Sequence, residues 1–402
     1  MSNALRRLGP RPLPLHALAL WRAQALATAA ATPAGGRLLD TDLERRVADA
    51  VTTPDEQAAL AVAIQAETAR RWADFWTGVA AYRMHPYCRP VPPRPAVHAV
   101  GATRLLDFAP QSDAPAILAI PSLVNTSDVL DLTPDTSLLA GLADAGFRPL
   151  LIDWGAPEPD AAQWTLDRYL TEKLEPLLGA VEGVAGRPPV VLGYCMGGLL
   201  AAALAASHGR RMAGLALLAT PWNFHAPCPG AAATVARLAP VFEAAARLTG
   251  AVPTDILQSL FFSLDPTLAG RKFRHFAKLD PTSDEAELFV AMEDWVNGGP
   301  ALAWPVARAV LQDWYGENLV HRGRWRACGR LVTPASFAGP TLVAAPMRDR
   351  IVPYESARAY ADGEGPTALL DVDAGHVGMI VGHNAKDRLW RPLIEWLRGV
   401  AT

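Results

Sequence analysis

A cysteine set between glycines is the residue in this sequence best placed to do chemistry. In Val190-Val191-Leu192-Gly193-Tyr194-Cys195-Met196-Gly197-Gly198-Leu199-Leu200 an apolar strand-type run passes, across Gly-x-Cys-x-Gly, into a run of strong helix formers. A strand-to-helix turn that sharp forces its central residue into a strained backbone and lifts the side chain clear of the sheet. Glycines two before and two after suit it, because a Cβ at either place would collide with the neighbouring strand or helix. Cys195 then stands at a helix N-terminus, where the backbone dipole favours a thiolate. The N–H of Met196 points to where an acyl oxyanion would form. Free cysteines are also common packing residues, so the turn carries the reading, and the chemistry it suggests is covalent acyl transfer through sulfur.

A thiol nucleophile needs a base, and behind a turn of this kind the acid and then the histidine follow in chain order. Two downstream segments fit. Thr341-Leu342-Val343-Ala344-Ala345-Pro346-Met347-Arg348-Asp349 is a strand running into a loop that presents Asp349. Leu370-Asp371-Val372-Asp373-Ala374-Gly375-His376-Val377-Gly378 is a strand followed by a loop that carries His376. His376 would act as general base on Cys195, with Asp349 fixing its tautomer and stabilising the imidazolium. Asp371 and Asp373 are nearer to His376 in sequence, but they sit at or inside a strand and read as surface or turn residues. His225 reads as a loop histidine, and His383 as belonging to the next helix. A second oxyanion donor is expected from the loop after an early strand, where Pro121-Ser122-Leu123-Val124-Asn125 offers the backbone N–H of Val124. Ser122 lacks flanking glycines and reads as structural.

The elements that must position these groups alternate along the chain. Short apolar runs at Ala116–Ile120, Arg148–Ile152, Val190–Leu192, Gly214–Ala219, Thr341–Ala345 and Ala368–Val372 read as strands covered on both faces. Helical segments lie between them, which predicts a mostly parallel sheet in an α/β domain. Nucleophile, acid and histidine in that order are the arrangement of the α/β-hydrolase fold. Between about 221 and 337 the alternation breaks into an Ala-, Leu- and Trp-rich helical stretch, expected to form a cap insertion over the site. Residues 1–95 read as a helical N-terminal segment, with Leu60, Ile64, Thr68, Trp72 and Phe75 on one face, ending in the Pro-rich linker Cys88–Pro95. The catalytic domain is then 96–402.

Bulk properties narrow the partners. The 402-residue chain is half apolar and 19% charged, with a formal net charge of −3. Nothing in that balance draws it to nucleic acid or to anionic membranes. Cys88, Cys195, Cys228 and Cys328 are far apart and form no CxxC pair, so neither a disulfide framework nor a metal site is expected, and a reducing cytoplasm suits them. Arg6 and Arg7 before Leu13–Trp21 loosely imitate a secretory signal, yet Arg22 and Gln24 interrupt the apolar stretch and it is too short to span a bilayer. A packing or granule-surface helix is expected there.

The segment Leu192-Gly193-Tyr194-Cys195-Met196-Gly197-Gly198 resembles the cysteine lipase-box of polyhydroxyalkanoate synthases. Further segments match in order: Leu123-Val124-Asn125 with Val129-Leu130-Asp131-Leu132, Leu151-Ile152-Asp153-Trp154-Gly155, Thr165–Tyr169, Met292-Glu293-Asp294-Trp295, Asp349–Pro353 and Gly375–Gly382. The resemblance covers roughly residues 100 to 400. It implies an acyltransferase that polymerises (R)-3-hydroxyacyl-CoA, carries the chain as a thioester on Cys195, uses His376 as base and Asp349 to help activate the incoming 3-hydroxyl, and releases CoA. It implies no cofactor, because coenzyme A is part of the substrate. The growing polyester is then a partner, the assembly a homodimer or a pairing with a second synthase subunit, and the location cytoplasmic, at storage granules. Two positions depart from the family: Arg350 follows the acid where histidine is usual, and Thr126-Ser127-Asp128 replaces basic and aromatic residues. Two other readings stay open at this level: a hydrolase of esters, thioesters or hydroxyalkanoate oligomers, and a non-catalytic granule-associated relative. Arg322, Arg324, Arg348 and Arg350 are candidate CoA phosphate contacts, with solvated surface arginine as the plainer reading.

Overall fold

The computed structural model describes residues 7–30, 41–90, 92 and 94–400. Arg6 of the basic pair and Val91 and Pro93 of the linker lie outside the described residues. The chain divides into two compact units, one of residues up to 88 with 258–297, the other of 89–257 with 298–402.

In the first unit the long helix Pro54–Met84 starts at a capping box in which Thr53 and Glu56 satisfy each other's backbone N–H groups. Its inner face ends in buried Phe75, Gly78, Val79 and Tyr82. The helix Leu268–Phe276 presses on it so closely that a Cβ at Gly78 would lie 1.9 Å from the Phe273 carbonyl oxygen. Phe273 meets Phe75, Tyr82 and Phe289 edge-on, and Phe276 stacks on Phe289 at 4.3 Å. Arg7 and the Tyr82 phenol both reach Asp294 at 2.8 Å, and Lys272 reaches buried Glu293 at 2.5 Å. The Met292–Trp295 segment is therefore spent on holding this unit together.

The second unit carries an eight-stranded sheet. Its strands are β1 Ala96–Val100, β2 Thr103–Asp107, β3 Ala116–Ile120, β4 Arg148–Asp153, β5 Val190–Tyr194, β6 Gly214–Leu218, β9 Thr341–Pro346 and β10 Thr367–Val372. Two-residue strands β7 Arg326–Ala327 and β8 Arg330–Leu331 pair separately. The order across the sheet is β1-β2-β4-β3-β5-β6-β9-β10, parallel from β4 to β10 and antiparallel at the β1-β2 edge. Strands β3, β5, β6 and β9 are buried at every residue, as expected where helices cover both faces. All six strands expected from sequence are present, but β10 lies at the sheet edge and is largely exposed, so it is not covered on both faces as expected. The β1-β2 hairpin is not among them, because exposed edge residues such as Ala96–Ala99 need no apolar run.

One buried ion pair ties the antiparallel edge to the parallel body. Asp107 on β2 has no exposed surface and receives the Arg148 guanidinium at 2.7 and 3.1 Å. The same arginine also donates to the carbonyl oxygens of Ser112 and Val184. Removing one partner of such a pair leaves an uncompensated charge, so Asp107→Ala should lower unfolding free energy by about 3–5 kcal/mol in urea titration. A loss below about 1 kcal/mol would mean that water reaches Arg148 and the pair is not structural.

Candidate active site

The turn after β5 takes the expected shape. Cys195 has φ 55° and ψ −127°, a conformation an L-residue holds only when its surroundings impose it, and the helix Met196–His208 starts at the next residue. The imposing contacts are visible: the Cys195 N–H donates to the Leu218 carbonyl on β6 at 2.9 Å, and the Gly198 N–H to the Cys195 carbonyl at 3.0 Å. Gly193 and Gly197 permit the close approach, since a Cβ on the first would lie 2.4 Å from Gly198 Cα and on the second 2.1 Å from the Ile120 carbonyl oxygen. Cys195 is half-buried and packs against Ala345, Val352 and Ala357, the cluster beside the loop that carries the acid.

Strand order explains which acid meets the histidine. Because β9 and β10 are neighbours, the loops at their C-terminal ends meet, and His376 Nδ1 lies 2.6 Å from Asp349 Oδ2. The other carboxylate oxygen, Oδ1, accepts the N–H groups of Ile351 at 2.7 Å and Val352 at 2.9 Å, so the acid is pinned before it touches the ring. Burial works to neutralise the imidazole. The Asp349 carboxylate, the charge on the Cys195 sulfur and hydrogen bonding to both outweigh it and hold His376 up at about 10. The structure thus joins His376 directly to Asp349, and the Cys195 sulfur acts on the same ring electrostatically.

The rival residues are occupied elsewhere. Asp371 accepts the Tyr354 phenol at 2.8 Å, and Asp373 pairs with Arg348 at 2.8 Å and Arg388 at 3.0 Å. His225 Nε2 faces the Tyr315 carbonyl at 2.9 Å, and His383 is exposed. Cys88, Cys228 and Cys328 are free and exposed. Among the candidate phosphate contacts, Arg348 is engaged by Asp373, Arg322 lies 3.8 Å from Glu317, and Arg324 is exposed. Met196 opens the helix behind the nucleophile, where first-turn N–H groups have no partner within the helix. Val124 is placed differently: its N–H donates to Ser122 Oγ at 3.1 Å within its own loop.

Two tyrosines lie near the site. The buried Tyr194 phenol, one residue before the nucleophile, donates to the His376 carbonyl oxygen at 3.2 Å, and its ring tilts over the imidazole at 5.2 Å. It fastens the histidine loop to β5. Tyr315 is pushed up to about 12 by burial and by the charges of Cys195 and Asp349, so its phenol belongs to the same electrostatic neighbourhood. Spacing along the chain gives no sign of either contact, because Tyr194 meets the distant His376 loop, and Tyr315 the site, only through folding. Tyr194→Phe should slow iodoacetamide labelling of Cys195 at pH 7 by roughly three- to tenfold, the worth of one neutral hydrogen bond. Peptide mass spectrometry separates this label from the exposed thiols, and an unchanged rate with a lowered Tm would reduce the phenol to a packing role.

Comparison with known proteins agrees with this fold. Residues 115–383 match the family described as alpha/beta hydrolase fold. The chain is 27% identical over 296 residues to the poly(3-hydroxyalkanoate) polymerase subunit PhaC of Allochromatium vinosum, covering 72% of this chain and 82% of that one. It is 27% identical over 319 residues to the subunit of the same name from Haloferax mediterranei, covering 76% of this chain and 63% of that one. A solved thermophilic esterase from Thermogutta terrifontis aligns with a TM-score of 0.45 and 21% identity, over 77% of this chain and 98% of its own. Among the described residues no helix is long and apolar enough to cross a membrane. A strained turn at Cys195 after β5, Asp349 after β9, His376 after β10 and a family match across two thirds of the residues lead to one conclusion: the chain belongs to the α/β-hydrolase fold family, and its sequence is similar to poly(3-hydroxyalkanoate) polymerases.

Proposed function

We propose that this protein is an acyltransferase that polymerises (R)-3-hydroxyacyl-CoA through a thioester on Cys195. The observation that carries the reading is a cysteine, in place of serine, at a strained strand-to-helix turn beside the His376–Asp349 pair, in a chain similar to poly(3-hydroxyalkanoate) polymerases. The sulfur attacks the substrate's thioester carbonyl, the carbon–sulfur bond to CoA breaks, and His376 delivers a proton to the leaving CoA thiolate. The 3-hydroxyl of the next unit then attacks the acyl-Cys195 thioester. Its proton goes to His376, the ester bond forms and the sulfur is freed. Asp349 works through the ring, since its oxygens are taken by His376, Ile351 and Val352. The Met196 N–H supplies one oxyanion donor, and the second comes from the Pro121–Asn125 loop once Val124 releases Ser122.

A thiol suits this cycle because exchange between two thioesters is nearly balanced, so the chain stays activated for elongation. The cycle uses no cofactor. The site would operate in the cytoplasm at a storage-granule surface, in a homodimer or beside a second synthase subunit. Intact-mass spectrometry after exposure to 3-hydroxybutyryl-CoA tests the reading. A hydroxybutyryl adduct on the native chain, none on Cys195→Ala, and insoluble polyester with equivalent CoA release are expected. Free 3-hydroxybutyrate without polymer would instead make the protein a thioester hydrolase.

A further inference from the structure

Several segments singled out in the sequence play no part in the triad, yet they converge. Leu123 and Asn125 from the loop after β3, Asp153 and Trp154 from the end of β4, and Trp164 and Tyr169 from the segment beyond all line one cavity of about 270 Å³. It opens at the C-terminal ends of β3 and β4, and β3 is the sheet neighbour of β5, the strand that leads into Cys195. From the geometry and chemistry of its lining we infer that this cavity binds the hydroxyl-bearing end of an uncharged hydroxyacyl ester chain. The inference rests on the reading under Proposed function and gives the acceptor of that reaction a place.

The cavity is held open by fixed walls. Trp154 Nε1 donates to the Ser122 carbonyl at 3.1 Å, and Tyr169 meets Trp154 and Trp164 edge-on at 5.5 and 5.0 Å. The facing wall, residues 249–251 and 300–303, is tied by reciprocal hydrogen bonds between Val252 and Leu302 at 2.8 and 2.9 Å. Gly299 presses on the loop after β3, because a Cβ there would lie 2.5 Å from the Val124 carbonyl oxygen. The lining loop is thus the one from which an oxyanion donor is expected.

Charge and hydrogen bonding define the ligand. The cation of the lining, Lys173, is engaged by Glu158 at 2.5 Å and the Val100 carbonyl at 2.8 Å, and Asp153 by Arg104 at 2.5 Å. No charge is left over for the phosphates of a CoA group, and indole and phenol rings suit the carbons of a polyester. Asn125 Oδ1 is buried without a hydrogen-bond partner. An acceptor in that state costs free energy until a donor reaches it. A neutral ester chain offers one donor, its terminal hydroxyl, which is the group that must be held for ester formation.

The test is calorimetric titration of full-length Cys195→Ala with the methyl ester of the (R)-3-hydroxybutyrate trimer, and with the same ester O-acetylated at its hydroxyl. The free hydroxyl should bind more tightly by on the order of tenfold or more, the effect of leaving a buried acceptor unpaired. Adding Asn125→Leu should erase that preference, and Ala162→Trp, which fills the cavity, should abolish binding of both esters. Equal affinity for the two esters, no binding of either, or full binding in a folded Ala162→Trp protein would overturn the inference. These titrations need no turnover. Failure of the native chain to become acylated would strike the proposed function alone.

Discussion

Cys195→Ala protein should release CoA from hydroxyacyl-CoA no faster than background, a loss of roughly a millionfold in kcat, as when a covalent nucleophile is removed from a site whose remaining parts are intact. The fold should survive, because alanine can occupy the same φ of 55° and the packing against Ala345, Val352 and Ala357 loses only a sulfur atom. Cys195→Ser is the sharper comparison. A hydroxyl is ionised far less readily than a thiol beside a charged imidazole, so serine should transfer acyl groups slower by three orders of magnitude or so. It should also hold what it captures as an ordinary ester that elongates poorly. CoA should be quantified by chromatography, since Cys88, Cys228 and Cys328 are exposed and would react with thiol dyes. Turnover by Cys195→Ala within about tenfold of native would remove covalent catalysis through this sulfur.

Asp349→Asn should cost about 10⁴-fold in kcat while leaving the fold in place. Asparagine's oxygen can still accept from Ile351 and Val352, but its amide group would then face His376 Nδ1 as a donor. That forces the proton onto Nε2, the nitrogen that must receive one from the thiol or the hydroxyl. The titration of the ring moves with it. In the native protein burial lowers the imidazole's proton affinity, and Asp349 and Cys195 together outweigh burial to hold it at about 10, above the 6.5 of a free histidine. A group raised on folding contributes its stability fully below the unfolded value and loses it as pH climbs through the folded one. The contribution of His376 is therefore present at pH 6 and fades between about 6.5 and 10. In Asp349→Asn the fade should begin at the same unfolded value, end at lower pH and be smaller. Urea unfolding across pH 6–10 measures the slope, and imidazole NMR resonances report the ring directly. A ring that titrates unchanged in Asp349→Asn would show that the carboxylate does not govern it.

The candidate site was legible in unequal parts. Cys195 could be read because its turn is a local steric problem: glycines at 193 and 197 are demanded by neighbours at 2.4 and 2.1 Å, and they leave a pattern in five consecutive residues. Asp349 could be preferred over Asp371 and Asp373 because a strand's C-terminal end was expected to present the acid. The Val124 N–H and the Tyr194 phenol were beyond such reasoning, since one is diverted by Ser122 and the other finds a carbonyl 182 residues away.

By itself the chain determined what lies within a few residues: six strands whose apolar runs need no partner to be recognised, the bend that carries Cys195, and the order of Cys195, Asp349 and His376. Only the tertiary structure decided what depends on neighbours distant in sequence. It set β9 against β10 so that His376 and Asp349 meet, joined residues 258–297 to the N-terminal helices, and gathered Leu123, Trp154 and Tyr169 around one cavity. The physical reason is the range of the forces. Backbone sterics and hydrophobic periodicity act between near neighbours and are written into short stretches, whereas hydrogen bonds and packing join whichever groups the completed sheet brings side by side.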